Sequence, residues 1–221
     1  MESHIANYQL NHKIQDDNLD IDQIAQYHLS FMIGDSDFMF CITDPAKNKC
    51  LYLEDYTFSS IMLPDQLTGQ LHHIFNNHNL LGVGFWKSVK VGVKNQKFTL
   101  IPNSLFKKEN LQEYLSLNCD INQYENIFYY KHIQSNAVNI FAAENKIINW
   151  FISAYPSKTI EVIHQTCPLI EGFIHMGENT SIKNMFIKVD NSYVTIIITK
   201  NKKLEFCNTY LLQTLRISSI M

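Results

Sequence analysis

The sequence predicts an α/β fold with mixed α+β sheets, organised as two related lobes, and three observations carry that reading. Short apolar runs bounded by turn residues alternate with segments of helical periodicity, the pattern of a layered mixed-sheet protein. The stretch FMIGDSDFMFCITDPAKNKCL at 31–51 is echoed by FIKVDNSYVTIIITKNKKL at 186–204, with an acidic turn and the string KNK-x-Leu in each. The offset is 155 residues from Asp35 to Asp190 and 153 from Lys47 to Lys200, the first copy carrying Pro45 and Ala46 as extra residues in its second turn. A solenoid repeats every roughly 20 to 50 residues, so this spacing reads instead as a duplicated three-strand unit.

The elements follow in order. Residues 1–28 are rich in Asn, Asp and Gln and read as a polar N-terminal arm. Strands at 29–34, 38–43 and 50–54 are short apolar runs separated by turn residues. Pro64 opens a helix whose Leu67, Leu71, Ile74 and Phe75 fall on one face, and Gly82 and Gly84 end it. Val89, Val91 and Val93 alternate with Lys90, Gly92 and Lys94, Asn95 and Gln96 supply a turn, and 98–101 returns as the second strand of a hairpin. Pro102 starts a helix that turns Leu105, Phe106, Leu111, Tyr114 and Leu115 inward. Strands at 127–133 and 137–142 bracket a Ser135-Asn136 turn, and Ile147, Ile148, Phe151 and Ala154 mark a helix at 144–155. A strand at 159–163 leads through TCPLIEGF into the second copy of the meander. The domain reading is an arm at 1–28, a first lobe at 29–183 with inserted hairpin-helix units, and the start of a second lobe at 184–221.

Composition narrows the function classes. A chain of 221 residues buries a sizeable core without disulfide or metal. Hydrophobic residues at 46% and charged ones at 18% exclude a disordered polymer. Net charge is -3 and Arg216 is the single arginine, so the concentrated basic surface that displaces counterions from nucleic acid is missing. Five cysteines, odd in number and without a CxxC pair, read as reduced thiols. Polar residues interrupt every apolar stretch near the N-terminus, so neither signal peptide nor membrane span is expected and the localisation reads as cytoplasmic.

A three-strand meander with an Asp at its first turn, used twice, resembles the actin-like ATPase superfamily of sugar kinases, actins and heat-shock chaperones. It is similar to a Bacteroidota family of unknown function with that fold. The resemblance rests on LSFMIGDSDFMFCITD at 29–44, KFTLIPNSLF at 97–106 and FIKVDNSYVTIIITKNKKLEFCNT at 186–209. It implies two ribonuclease-H-like lobes, each with its first hairpin as a phosphate-binding loop. In active members those loops read roughly Asp-x-Gly-Thr and Asp-x-Gly-Gly-x-Thr, because glycine lets backbone amides approach phosphate oxygens. Matched position by position, Asp35 and Asp190 keep the acid, while Asp37 and Ser192 stand in the glycine slots. A left-handed conformation costs a non-glycine residue about 1 to 2 kcal/mol. A carboxylate about 4 Å from phosphate adds about 1 to 4 kcal/mol per charge pair. Together these weaken nucleotide binding by roughly tenfold to several thousandfold.

The superfamily's lobe also continues past its third strand into a crossover helix and a glycine-bearing adenosine loop. Here thirteen residues follow Asn208 and the last glycine is Gly177, so the second lobe is expected to be incomplete at the C-terminus. The resemblance thus implies vestigial phosphate-loop positions at Asp35, Asp37, Asp190 and Ser192, with no cofactor and no enzymatic activity. Mg-ATP is the alternative cofactor.

Other constellations have structural readings. His164, Cys167 and His175 have the residue types of a zinc site, but with two and seven intervening residues and no fourth ligand they match no common pattern. Cys167 reads as packed near Pro168. His72, His73 and His78 miss the i, i+4 spacing that shares one metal and read as a solvated helix face. Asp35, Asp37 and Asp190 as a ribonuclease-H-like cluster holding two magnesium ions conflict with the weak basic character. As turn residues, Asp35 and Asp190 bond their own backbone. Tyr129-Tyr130 and Trp150-Phe151 read as core.

The function expected is a non-catalytic, actin-like scaffold or adaptor that acts through protein-protein contacts, comparable to the actin-like adaptors of pilus assembly and secretion. The alternative is a divergent magnesium-nucleotide-binding ATPase or kinase completed by a second subunit. An incomplete second lobe would leave apolar surface and a strand edge for a partner or a second copy to cover.

Overall fold

The computed structural model describes residues 7–60, 62–177, 182–190 and 193–212. In chain order the strands are β1 (Tyr8–Gln15), β2 (His28–Ile33), β3 (Asp37–Asp44), β4 (Lys49–Phe58), β5 (Ser88–Val93), β6 (Phe98–Pro102), β7 (Glu125–Lys131), β8 (Ala137–Glu144), β9 (Ile160–His164), β10 (Lys183–Asp190), β11 (Tyr193–Lys200) and β12 (Lys203–Leu211). The α-helices are α1 (Pro64–Asn76), α2 (Leu111–Ser116), α3 (Asn145–Ala154) and α4 (Thr166–Met176). The chain divides into two compact units: residues 1–99, 107–130 and 140–165 form the first, and 100–106, 131–139 and 166–221 the second. This division is discontinuous in sequence.

Unit 1 is built on a six-stranded sheet of order β1-β4-β3-β2-β5-β9. The β2–β5 and β5–β9 pairs are parallel and the others antiparallel. Within the polar stretch 1–28, β1 pairs with β4 as an edge strand and is mostly exposed, a position that suits its charged and amide side chains. Lys13 reaches Glu54 at 3.1 Å and Lys49 reaches Asp16 at 2.5 Å, pinning this edge. Phe31 of β2 lies at the centre of an aromatic core, its ring 5.7 Å from Phe75 of α1 and 4.9 Å from Phe151 of α3. Trp150 stands edge-on to Phe75 at 4.6 Å, which places the Trp150-Phe151 pair in this core, while Tyr129 and Tyr130 are half-buried.

Two sequence expectations change here. The first helix ends before either glycine, because the Asn77 N–H donates to the Ile74 and Phe75 carbonyls and its side-chain amide donates to the His73 carbonyl at 2.8 Å. The expected hairpin of 89–93 with 98–101 does not form. β5 is a central parallel strand between β2 and β9, and β6 pairs in another sheet of order β6-β8-β7. Asn95 makes the change of sheet. Its carbonyl accepts from Gln165 Nε2 at 2.9 Å, its side-chain oxygen accepts from the Lys97 N–H and its side-chain amide donates to the Ala142 carbonyl.

Unit 2 carries the antiparallel sheet β10-β11-β12. Asn201 and Lys202, both at positive φ (51° and 57°), form the two-residue turn that matches strand twist in a tight hairpin. Ile170 and Ile174 of α4 pack on Ile197 of β11, with Phe173 stacked on Phe186 at 4.3 Å. Among the described residues no helix is long and apolar enough to cross a membrane.

Candidate functional site

The two acidic turns are the sequence's candidates. The first joins β2 to β3, with Ile33 and Phe38 as the last paired residues and Gly34 N–H donating to the Asp37 carbonyl at 2.9 Å. Its outward carbonyls are taken: Met62 N–H donates to Asp35 at 2.7 Å and Phe58 N–H to Ser36 at 2.9 Å. Asp37 begins β3, and its carboxylate forms an ion pair with Lys94, which follows β5. With side chains 20% and 25% exposed, this pair is largely shielded from solvent screening. The carboxylate is tucked so far inward that a Cβ added at Gly34 would lie 2.5 Å from Asp37 Oδ1. Asp35 is exposed at the turn's tip.

Asp37 does not adopt the left-handed conformation expected of a glycine slot, since the positive-φ non-glycine residues among those described are Asn48, Asn136, Asn201 and Lys202. Its effect at the turn is therefore electrostatic and steric, without backbone strain.

The second turn differs. Asp190 is the final residue of β10 and pairs with Tyr193, so it lies in the strand where Asp35 lies in a turn. Its carboxylate accepts from Lys188 Nζ at 2.7 Å. Ser192 lies outside the described residues. Asp35 and Asp37 thus share a turn of unit 1, and Asp190 belongs to unit 2.

The histidine candidates have other occupations. His164, at the end of β9, is fully buried, its ring 4.8 Å from Phe98 and 5.6 Å from Phe141. Nε2 donates to the Asn95 carbonyl at 3.0 Å, and burial holds the ring neutral by lowering its pKa to about 3. Cys167 is buried in α4, and His175 lies in that helix's last turn. His72 and His73 lie on α1, whereas His78 follows it and is largely buried, 3.2 Å from Glu54, which corrects the solvated-face reading. Among the described residues no three His, Cys, Asp or Glu side chains come together as a metal-binding group.

A polar cluster that sequence reasoning missed surrounds Glu54, whose side chain is 2% exposed. Tyr52 donates to it at 2.5 Å, Tyr56 donates to its second oxygen, and Lys13 approaches at 3.1 Å. Burial raises the Glu54 pKa, but hydrogen bonds from Tyr52, Tyr56 and Lys13 and the His78 charge outweigh it and bring the net value below the ordinary range. Burial lowers His78 despite the opposing pull of Glu54. The alternation Tyr52, Glu54, Tyr56 along β4 was the available signal, since period two puts all three on one face. With its oxygens held by donors of the protein itself, the cluster reads as a structural clamp on β1.

With these geometries in place, comparison with known proteins locates the chain. A Bacteroides thetaiotaomicron protein with actin-like ATPase fold and unknown function is 24% identical and aligns over 88% of this chain and 74% of its own, with a TM-score of 0.78. A chain of the PilM–PilN type IV pilus biogenesis complex is 10% identical and aligns over 84% of this chain and 62% of its own, with a TM-score of 0.55. These likenesses establish the actin-like ATPase fold expected from the sequence. No curated protein matches the sequence. Residues 16–216 match the family described as "Protein of unknown function (DUF3822)", and the chain belongs to that family.

Proposed function

We propose that this chain is a non-catalytic actin-like scaffold that works through protein-protein contacts, its nucleotide binding degraded at the first turn. The observation that carries the reading is the Asp37–Lys94 ion pair. Where active superfamily members have a glycine to admit phosphate, this turn holds a carboxylate, folded over Gly34 and compensated by a lysine of the protein. An arriving phosphate meets a negative charge, at about 1 to 4 kcal/mol per pair, and Lys94 is directed at Asp37. The turn's carbonyls are engaged by Phe58 and Met62, so opening it also breaks backbone hydrogen bonds. The PilM–PilN structure supports the contact role by analogy of fold alone, since there a chain of related architecture sits in a protein complex.

The test is titration of the full chain with a fluorescent ATP analogue and magnesium. We expect no saturable binding below about 1 mM, weaker than roughly 4 kcal/mol of affinity. Saturable micromolar binding that disappears in Asp35→Ala would overturn the reading in favour of a divergent nucleotide-binding ATPase.

A further inference from the structure

Cys41 and Cys50 lie on neighbouring strands of the unit 1 sheet, on either side of the turn that joins β3 to β4. Register sets Cys50 opposite Thr43, and Cys41 is two residues from Thr43, so the strand period puts the two cysteines on one face. That face is opposite the core, since Phe40 and Ile42, which alternate with them, are buried. Between these rows the ladder is broken: Ile42 pairs with Tyr52 and Thr43 with Cys50, which leaves Leu51 as the extra residue of a bulge.

The Cys50 thiol is turned along β4 toward its neighbour. Its Sγ donates to the Tyr52 carbonyl at 3.4 Å, and Tyr52 is next to Leu53, the residue that pairs with Cys41. The two thiols differ in access, Cys50 being exposed and Cys41 partly buried. Burial pushes the Cys41 thiol up to about 11, and Cys50 adds to the shift through its charge and through a hydrogen bond between the two side chains. A thiol held protonated in this way is inert toward oxidants by itself, because the thiolate is the nucleophile. A neighbour already carrying an activated sulfur supplies by proximity what its acidity does not.

We infer that Cys41 and Cys50 form a reversible dithiol–disulfide pair, oxidised by exchange with a low-molecular-weight disulfide of the glutathione class. The exposed Cys50 gives up its proton and attacks one sulfur of the small disulfide. A mixed disulfide forms on Cys50, the small molecule's S–S bond breaks, and the departing thiolate takes up the proton. Cys41 then loses its proton and attacks Cys50 Sγ, which expels the second small thiolate to be protonated in turn. Two protein thiols are oxidised to one disulfide, and one small disulfide is reduced to two thiols.

The geometry favours a reversible link over a permanent one. Diagonal neighbours on one sheet face have Cα atoms roughly 7 to 8 Å apart, whereas a disulfide accepts up to roughly 7 Å. Closing the bridge therefore asks for about 1 Å of backbone adjustment, and the bulge puts it where pairing is already interrupted. A bridge closed against such an adjustment is more readily reduced than a relaxed one. Neither nucleotide binding nor partner contact enters this inference, so it stands apart from the scaffold reading.

The experiment incubates the full, reduced chain with oxidised glutathione, counts the remaining thiols and maps the tryptic peptides by mass. Lys47 and Lys49 lie between the two cysteines, so trypsin separates them and a bridge leaves two peptides joined. We expect free thiols to fall from five to three, two being consumed, with Cys41 joined to Cys50 and all five restored by dithiothreitol. Cys41→Ser should stop at one glutathione on Cys50, and Cys50→Ser should leave Cys41 unmodified. Cys41→Ala repeats the first variant with an apolar side chain, which separates lost chemistry from disturbed packing. Glutathione retained on Cys50 of the wild type, a bridge between two chains, a bridge confined to Cys167 and Cys207, or five thiols left free would each overturn the inference.

Discussion

Replacing His164 with Gln tests whether the β9 end is as closed as its contacts require. The ring is fully buried against Phe98 and Phe141, and Nε2–H donates to the Asn95 carbonyl, a bond the Gln amide can also donate. Burial lowers the folded pKa from 6.5 to about 3, with the Asn95 hydrogen bond opposing. The folded value is depressed, so the unfolded chain takes up a proton that the folded chain refuses. Stability from the neutral ring is complete above the unfolded value of 6.5 and is lost as pH falls toward 3. A full proton corresponds to about 1.4 kcal/mol per pH unit and the unfolded ring is already half protonated at pH 6.5, so the wild type loses about 2 kcal/mol more than His164→Gln between pH 6.5 and 4.5. Urea unfolding at several pH values measures this: the stability difference at neutral pH, arising from lost stacking, should shrink on acidification. Parallel curves would refute the reasoning, because they would mean that His164 protonates in the folded state.

Two further substitutions probe the edge clamp and the first turn. Glu54→Ala leaves the Tyr52 and Tyr56 hydroxyls and Lys13 without their shared acceptor, and should cost about 3 to 5 kcal/mol, a drop in Tm of roughly 6 to 20 °C by differential scanning fluorimetry. A change under about 1 °C would show that the cluster does not hold β1. Gly34→Ala places a Cβ 2.5 Å from Asp37 Oδ1 and should destabilise by about 1 to 3 kcal/mol, whereas in an Asp37→Ala background the same change should cost little. Additive behaviour in that double-mutant cycle would remove Asp37 as the reason for glycine at position 34.

Much of the fold was legible because its signals are local. The turn residues around 34–37 and the i, i+3, i+4 series of α1 and α3 each specify their element without help from distant sequence. What was not legible depends on partners far along the chain. Val89, Val91 and Val93 alternate like a hairpin strand, but β2 and β9 lie on either side of β5 and make it a central one. TCPLIEGF gave no clear helix signal because Gly172 interrupts a stretch in which Pro168 is tolerated only as a first-turn residue, yet α4 forms there with its apolar residues covered by β11. In the candidate site, Asp35, Asp37 and Asp190 could be found from sequence, but not the distant lysine that neutralises Asp37. Lys94 is 57 positions from Asp37, and nothing in either local sequence announces the pairing.

The two meanders also show why a sequence echo need not mean two equal sites. At an offset of 155 the burial phase agrees: Phe40, Ile42 and Asp44 face inward in β3, as do Thr195, Ile197 and Thr199 in β11. The pairing does not agree. Ile33 pairs with Phe38, whereas Lys188, its counterpart at this offset, pairs with Thr195 rather than Tyr193. A slip of one residue would turn every side chain to the other face, while a slip of two keeps the faces and moves the turn. β10 therefore runs on through Val189 and Asp190 where the first copy has already bent at Gly34 and Asp35. Equivalent positions in sequence consequently carry different backbone roles. A phosphate loop depends on the direction of its amides more than on the identity of its acid, so a pair of matching aspartates gives no warrant for a pair of matching phosphate sites in this chain.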